Sequence, residues 1–322
     1  MKFTSNTPLV SVIILCYNQS DIISRAIESV LNQTYQNIQL VIVDDCSSDK
    51  SKQVIEQWQS KFPQKIKTYF QLANVGHPAN MNKGYRLCDG ELITFCDGDD
   101  WYFPQKVEKE VHFLKMNPDV DVVHSNFDFF TIDGHFVKHW TENERQIPTG
   151  EIFRELLTLN YPNKAHLRYE MTSKKIIEET GFYDEQIPIW VDWDFRLRLA
   201  AKHKFGYCSY TGSAYTENPR GLTNILKQET ILKYYQFVVN KNITLLEKHP
   251  KSTVKKIKRE ISLITDKLSL AISVQKNQNT FFKTLSFIWK YPSQLSDVRF
   301  VINSLLGKKT VSRLAAVKNR FK

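Results

Sequence analysis

Three carboxylates within four positions, Asp97-Gly98-Asp99-Asp100, close the apolar run Leu92-Ile93-Thr94-Phe95-Cys96. Carboxylates crowded at the end of a buried strand repel one another, and removal from water sharpens the repulsion. A bound divalent cation relieves it, and hard oxygen ligands suit Mg2+ or Mn2+. Gly98 would let the chain turn tightly enough for Asp97 and Asp99 to reach one point. The competing reading is a plain strand-to-helix turn, with Asp100 capping a helix near Pro104. A second acidic pair, Asp44-Asp45, ends the run Ile38–Val43, and the polar Tyr17-Asn18 ends the run Val10–Leu15.

Periodicity supplies the elements that must hold these groups. Val10-Ser11-Val12-Ile13-Ile14-Leu15 is apolar on both faces, as a central parallel strand requires. Ser20 or Asp21 can cap a helix carrying Ile22, Ala26, Ile27, Val30 and Leu31 at helical spacing. The strand Ile38–Val43 precedes a helix with Val54, Ile55 and Trp58 on one side; a third strand near 66–70 and a helix through Tyr85 lead to Leu92–Cys96. This β-α-β-α-β-α-β order predicts a mainly parallel sheet with right-handed crossovers. Ligands of such sheets bind beyond the carboxyl ends of the strands, where Tyr17-Asn18, Asp44-Asp45 and Asp97–Asp100 fall. The cluster suits a metal-bound, phosphate-bearing ligand. Neither GxGxxG nor GxxxxGK[ST] is present, which excludes the dinucleotide and P-loop fingerprints.

Composition narrows the class. At 322 residues, 42% apolar and 12% aromatic, the chain has ample core for one large or two smaller domains. Five cysteines without a CxxC pair imply reduced thiols and a cytosolic setting. No signal peptide is expected, and no window approaches 18 apolar residues, so no spanning helix is expected either. The net charge of +10 is uneven: residues 248–322 hold 17 Lys and Arg against 3 Asp and Glu, leaving the remainder at −4.

The segments Val-Ser-Val-Ile-Ile-Leu-Cys-Tyr-Asn (10–18), Leu-Asn-Gln-Thr-Tyr-Gln-Asn-Ile-Gln-Leu-Val-Ile-Val-Asp-Asp-Cys-Ser-Ser-Asp (31–49), Asn-Val-Gly (74–76) and Phe-Cys-Asp-Gly-Asp-Asp (95–100) resemble family 2 glycosyltransferases of the GT-A fold, of the bacterial cell-surface polysaccharide type. The likeness covers about the first 100 residues in order and resumes near residue 181. It implies a Rossmann-like α/β nucleotide-sugar transferase with a DxD motif. Tyr17 would stack on the base and Asp45 accept a hydrogen bond from it; Asp97 would face ribose or metal, and Asp99 would hold the cation on the diphosphate. Asp100 could share that duty.

Departures from the family pattern leave roles open. Where many relatives carry Arg, this chain has Met81, which cannot grip a phosphate. Lys83, His77 or the metal could take that part. Gly181-Phe182-Tyr183-Asp184-Glu185 and Trp190-Val191-Asp192-Trp193-Asp194 are similar to the family's second motif, with Val191 in place of Glu. The resemblance puts the general base on Asp192; taken alone, Asp192–Arg196 and Asp194–Arg198 are i,i+4 surface pairs. In 215–223, where relatives often supply a metal-binding His, none stands; Glu217 or Asn218 could substitute, and Arg220 could reach the diphosphate.

From Pro104 a helix, a strand at 120–125 and a hairpin over 127–140 begin an acceptor half, in which Phe129, Phe130 and Trp140 read as core or lipid-facing packing rather than sugar platforms. The expected organisation is a catalytic domain over 1–225, divided into a nucleotide-sugar half (1–103) and an acceptor half (104–225), followed by a helical region over 226–322. Lys251, Lys255, Lys256, Lys258 and Arg259 among Val254, Ile257, Ile261 and Ile264 make that region basic and amphipathic, which suits an anionic membrane surface. A solvated appendage packed on the body is the alternative; no nucleic-acid module accompanies the charge. The expected protein is a divalent-cation-dependent, inverting transferase, cytoplasmic and peripheral on the inner face of the plasma membrane, moving one sugar from a nucleotide-sugar, UDP-linked by preference, to a lipid-linked or polysaccharide acceptor. The rival is a catalytically inactive relative that binds nucleotide-sugar as a membrane-surface scaffold.

Overall fold

β-Branched, two-sided apolar runs fold into the centre of one mixed sheet. The computed structural model describes residues 5–162, 166–219, 221, 226–248, 250–275 and 290. Among them nine strands are joined: β1 (Val10–Cys16), β2 (Ile38–Asp44), β3 (Ile66–Phe70), β4 (Leu92–Asp97), β5 (Trp101–Tyr102), β6 (Val122–Thr131), β7 (Phe136–His139), β8 (Met171–Ser173) and β9 (Phe205–Glu217). Their order is β3-β2-β1-β4-β8-β6-β9-β5, with β7 on β6. The strands β3, β2, β1 and β4 are parallel, and the helices α1 (Ile23–Leu31), α2 (Ser51–Lys61) and α3 (His77–Leu87) make the crossovers. The expected β-α-β-α-β-α-β half is present.

Register decides where the polar ends meet. Cys16 pairs with Asp44 and Leu15 with Asp97, so three strand termini finish along one edge. Val10, Val12, Ile13, Ile14, Leu40, Val41, Ile42 and Val43 are wholly excluded from solvent beneath that edge. Each such side chain contributes roughly 1.5–3 kcal/mol of transfer free energy, which makes the edge a rigid platform.

Several local expectations are corrected. Neither Ser20 nor Asp21 caps α1; the helix begins at Ile23, and the carbonyl of Gln19 receives the amides of Ile22 and Ile23. Strand β6 does not stop at 125 but runs to Thr131, because β9 runs alongside it in parallel to Glu217. Residues 215–217, at the start of the stretch where relatives often supply a metal-binding His, are therefore strand. Past the helices α4 (Lys106–Met116) and α5 (Phe153–Leu157), the three-residue β8 and the helix α6 (Lys174–Thr180) were not foreseen, since so short a strand carries no readable alternation. Trp140 is fully buried and stacks on Phe127 at 4.8 Å, as a core aromatic.

Two compact units are present: residues up to 225 with 238–245, and residues 226–237 with 246 onward. In the second, the helix Lys251–Gln275 buries Ile257 and Ile261 while Lys251, Lys255, Lys256, Lys258 and Arg259 are exposed. The apolar and basic positions expected over 276–289 and 291–322 lie outside the described residues.

In the first unit the helix α4 (Lys106–Met116) carries a completely buried ion pair, Lys106–Glu110 at 2.7 Å. Lys106 Nζ also donates to the carbonyl of Tyr169 at 2.9 Å, and the Ser125 hydroxyl donates to Glu110 at 2.8 Å. Burial, opposed by Lys106, pushes the Glu110 carboxyl above its ordinary range. Removing one partner of such a pair costs about 3–5 kcal/mol. Lys106→Met is expected to lose that much in chemical denaturation at pH 8. The loss should shrink as pH falls towards the unfolded-state pKa of about 4.3, because unpaired Glu110 then folds protonated. A pH-independent loss would show that Glu110 is not the source.

Candidate functional site

The site is built on three strand ends. Asn18 and Cys46 take positive φ, 52° and 60°, where β1 and β2 leave the sheet. The Asn18 side chain accepts from the Ser48 amide and its own amide donates to Ser47 Oγ, so the two departing loops brace one another. The Asp45 amide donates to the carbonyl of Cys16, which sets Tyr17 beside Asp45. Tyr17 is 51% exposed and offers a ring face at this edge. Asp45 is buried, and its two oxygens accept the amides of Val75 and Gly76 at 2.8 and 2.9 Å. Gly76 has φ of +84°, which a side chain would strain. Asp44 and Asp45 are thus not helix caps: α2 begins at Ser51, whose amide donates to Asp49.

The acidic stretch after β4 divides its labour. Asp100 is not a helix cap, since α4 starts at Lys106 with Gln105 before it. Its carboxyl is 1% exposed, accepting from the Tyr169 hydroxyl and from the Thr216 amide at 2.5 Å. Burial first, then the charges of Asp99 and Asp97, push it well above the ordinary carboxylate range. Asp97 is half-buried and is raised by the same causes, desolvation and then Asp99, against the pull of His77 and Arg168. Asp99 accepts from Asn218 Nδ2 at 2.9 Å, while its carbonyl receives Arg25 and Thr216. Glu217 pairs instead with Lys138 at 3.3 Å.

The tight turn expected at Gly98 is present, with the Asp100 amide donating to the Asp97 carbonyl at 3.0 Å, and packing adds a second demand for glycine. A Cβ there would lie 2.6 Å from the carbonyl of Leu15 and 2.9 Å from Ile23 Cδ1, so close approach of β1 and α1 demands glycine.

Asp192 is the second residue of the helix α7 (Val191–Ala200), which starts directly after Trp190 in the left-handed region at φ 67°. Arg196 Nη1 donates to Asp192 Oδ2 at 2.6 Å, and Arg196 Nε contacts both oxygens of buried Glu170 at 3.0 Å. Desolvation raises the Asp192 carboxyl, but Arg196, then His166, Arg168 and His77, outweigh it and hold the group below the ordinary range. Neither i,i+4 pair is a surface pair. Arg196 is 1% exposed, and Asp194, at 0%, binds Arg198, Lys241 and Asn242.

The structure brings Asp97, Asp99 and Asp192 into one field, since Asp97 feels the charges of both others. His77, at the start of α3, is an electrostatic neighbour of both Asp97 and Asp192. Asn82 ties α3 to the second motif by bonds to the backbone of Tyr183 and to Glu185. Met81 is wholly buried, and Lys83 holds its ammonium 3.8 Å from the Tyr69 ring centroid. Arg220 lies outside the described residues. Sequence reasoning missed Arg168 and His166, which precede β8 in a stretch without periodicity. Burial pulls the His166 ring down to about 4, against the attraction of Asp192.

Among the described residues no three His, Cys, Asp or Glu converge as a ready-made cage. The donor set Asp97 and Asp99, two carboxylates of which the first is raised by burial and by the charge of the second, fits a Mg2+- or Mn2+-type ion whose remaining ligands would be water and substrate phosphate.

Comparison with known proteins places these features in context. The model of the family described as "Glycosyl transferase family 2" matches residues 11–179. An uncharacterized glycosyltransferase of Haemophilus influenzae is 32% identical over 201 residues, 58% of this chain and 80% of that protein. One from Nostoc is 44% identical over 115 residues, 36% of this chain and 35% of its own length. The fold is similar to that of S. aureus TarS 1–349 in complex with UDP-GlcNAc (TM-score 0.65, 17% identity, 87% of this chain and 81% of that one). It is also similar to the mannosyltransferase PcManGT from Pyrobaculum calidifontis in complex with GDP-Man and Mn2+ (TM-score 0.60, 16% identity, 97% and 81%).

Gly98→Ala is expected to lower thermal stability by about 1–3 kcal/mol through overpacking and to cut activity at least tenfold, about 1.4 kcal/mol of barrier, by displacing Asp97 and Asp99. Unchanged melting and turnover would mean that β1 yields freely.

Proposed function

The chain belongs to glycosyltransferase family 2, a family of enzymes, and from that premise we propose an inverting, divalent-cation-dependent transferase that moves one sugar from a UDP-sugar to a hydroxyl of a lipid-linked or polysaccharide acceptor. The observation that carries this reading is the shared field of Asp97 and Asp192. Carboxylates about a hundred residues apart in sequence have His77 and Arg168 as common neighbours, as expected where donor and acceptor meet.

Each residue then has a task. Tyr17 stacks on the base, and Asp45, while fixing the 75–76 turn, uses a remaining lone pair for the uracil N–H. UDP and UDP-GlcNAc complexes of TarS favour the same nucleotide here. Asp97 and Asp99 would hold the cation, which when bound stabilises charge growing on the diphosphate. Lys83 remains a candidate donor contact only if it leaves Tyr69, and Arg220 is a further one. Arg196 occupies Asp192 Oδ2 and leaves Oδ1 for the acceptor hydroxyl, whose proton it removes as the oxygen attacks. One displacement with one base inverts the anomeric centre, so an α-linked donor gives a β-linked product; in hydrolases the analogous base stands opposite the leaving group. Because Asp192 is held below the usual range it stays ionised, and kcat/KM should show no acid limb from this group above about pH 4.

The exposed lysines of the helix Lys251–Gln275 support docking to an anionic membrane on the cytoplasmic side. No helix of the described residues is long and apolar enough to cross a membrane. Vesicles rich in anionic lipid should bind the full chain at physiological salt and neutral vesicles should not; equal failure with both would remove the membrane from the proposal.

The decisive test is calorimetric titration with UDP, dTDP and GDP, with and without Mn2+. Mn2+-dependent binding of UDP is expected, and Asp99→Ala should abolish the metal dependence. Asp192→Asn should keep nucleotide binding while kcat falls about 10²–10⁴-fold. No nucleotide binding, or an α-linked product from an α-linked donor, would overturn the proposal.

A further inference from the structure

Charge balance in the cleft leaves a gap. A diphosphate and the carboxylates Asp97, Asp99 and Asp192 together exceed what one divalent cation neutralises, so a second fixed cation is required nearby. Of the described residues named from sequence, Met81 is buried, Lys83 sits on Tyr69, and His77 offers an imidazole rather than the permanent charge of a guanidinium. Arg196 is committed to Glu170 and Asp192. Arg25 is stacked 3.9 Å over Trp101 and donates to the carbonyls of Asp99 and Ile132, from the side of α1.

Arg168 has the required position. The next residue in the chain, Tyr169, donates its hydroxyl to Asp100. The aromatic ring beneath it, Tyr215 at 3.7 Å, precedes Thr216, whose amide donates to the other oxygen of Asp100. Two anchors on Asp100 thus set the Arg168 guanidinium beside the Asp97–Asp100 turn. Its Nε has no hydrogen-bond partner among the described residues. Stacking uses the flat face of a guanidinium and leaves its edge of N–H donors for an oxyanion, a geometry that lysine does not reproduce. Asp97, Asp100 and Asp192 all feel its charge.

We propose that Arg168, stacked on Tyr215, is the guanidinium that grips the donor's diphosphate, in the part left open by Met81. The inference rests on the nucleotide-sugar reading above. It assigns to the segment before β8 a substrate contact and makes Tyr215 a positioning residue.

The test compares Arg168→Gln and Arg168→Lys with the wild-type chain. Each is titrated with the nucleoside diphosphate that the wild type binds in Mn2+, and with the matching nucleoside, which has no phosphate. Arg168→Gln should weaken diphosphate binding at least tenfold and leave nucleoside binding unchanged; Lys should recover part of the loss. A structural role would weaken both ligands together and lower the melting temperature, and that result overturns the assignment. So does wild-type diphosphate affinity in Arg168→Gln. Wild-type protein that binds no nucleotide at all would overturn the underlying reading as well, whereas binding by wild type and variant alike removes only Arg168.

Discussion

A single buried carboxyl, that of Asp100, fixes the relation between the acidic strand end and the rest of the first unit. It accepts from Tyr169 on one side and the Thr216 amide on the other. Three stretches distant in sequence, the end of β4, the segment before β8 and the end of β9, therefore meet at one side chain. Burying a carboxyl is costly unless its oxygens are bonded, and here both are. The same fastening is reinforced from below, where Lys106 holds the carbonyl of Tyr169, and from the α1 side, where Arg25 and Thr216 share the carbonyl of Asp99. Asp97 and Asp99 are positioned by this frame and need spend little of their own hydrogen-bonding capacity to stay in place.

The first half of the fold was legible because it repeats one physical signal, two-sided apolar strands alternating with one-sided helices. The place of Tyr17, Asp45, Asp97 and Asp99 at the sheet's carboxyl edge was legible with it, as polar residues at parallel strand ends gather there. What could not be read were features without a period. Arg168 and His166 stand in irregular chain, and β8 is three residues long. At Gly98 the turn was legible but the steric need was not, since it is set by the backbone of β1 and a side chain of α1, which no local pattern reveals. The Asp192 and Asp194 pairs with arginine were visible as spacings, yet nothing in the sequence told that Arg196 and Asp194 would be buried.

The two aspartates of the second motif show how burial separates chemistry from architecture. Asp192 and Asp194 have the same side chain and an equivalent i,i+4 arginine. Asp192 is left 38% exposed at its side chain, with one oxygen uncommitted to Arg196, while Asp194 is sealed and bonded at both oxygens. Only the first can meet a substrate.

That sealing bears on how far the chain can be shortened. Lys241 and Asn242, which bond Asp194, belong to the same unit as α7 although they follow residue 225. A fragment cut at 225 keeps every residue assigned a substrate contact above but leaves a buried carboxylate that, among the described residues, retains Arg198 alone as side-chain partner. The smallest stable form should accordingly extend to about residue 245, and melting curves of fragments ending at 225 and 245 would reveal the difference. Residues that look like the start of an appendage act as a clasp on the helix that carries Asp192.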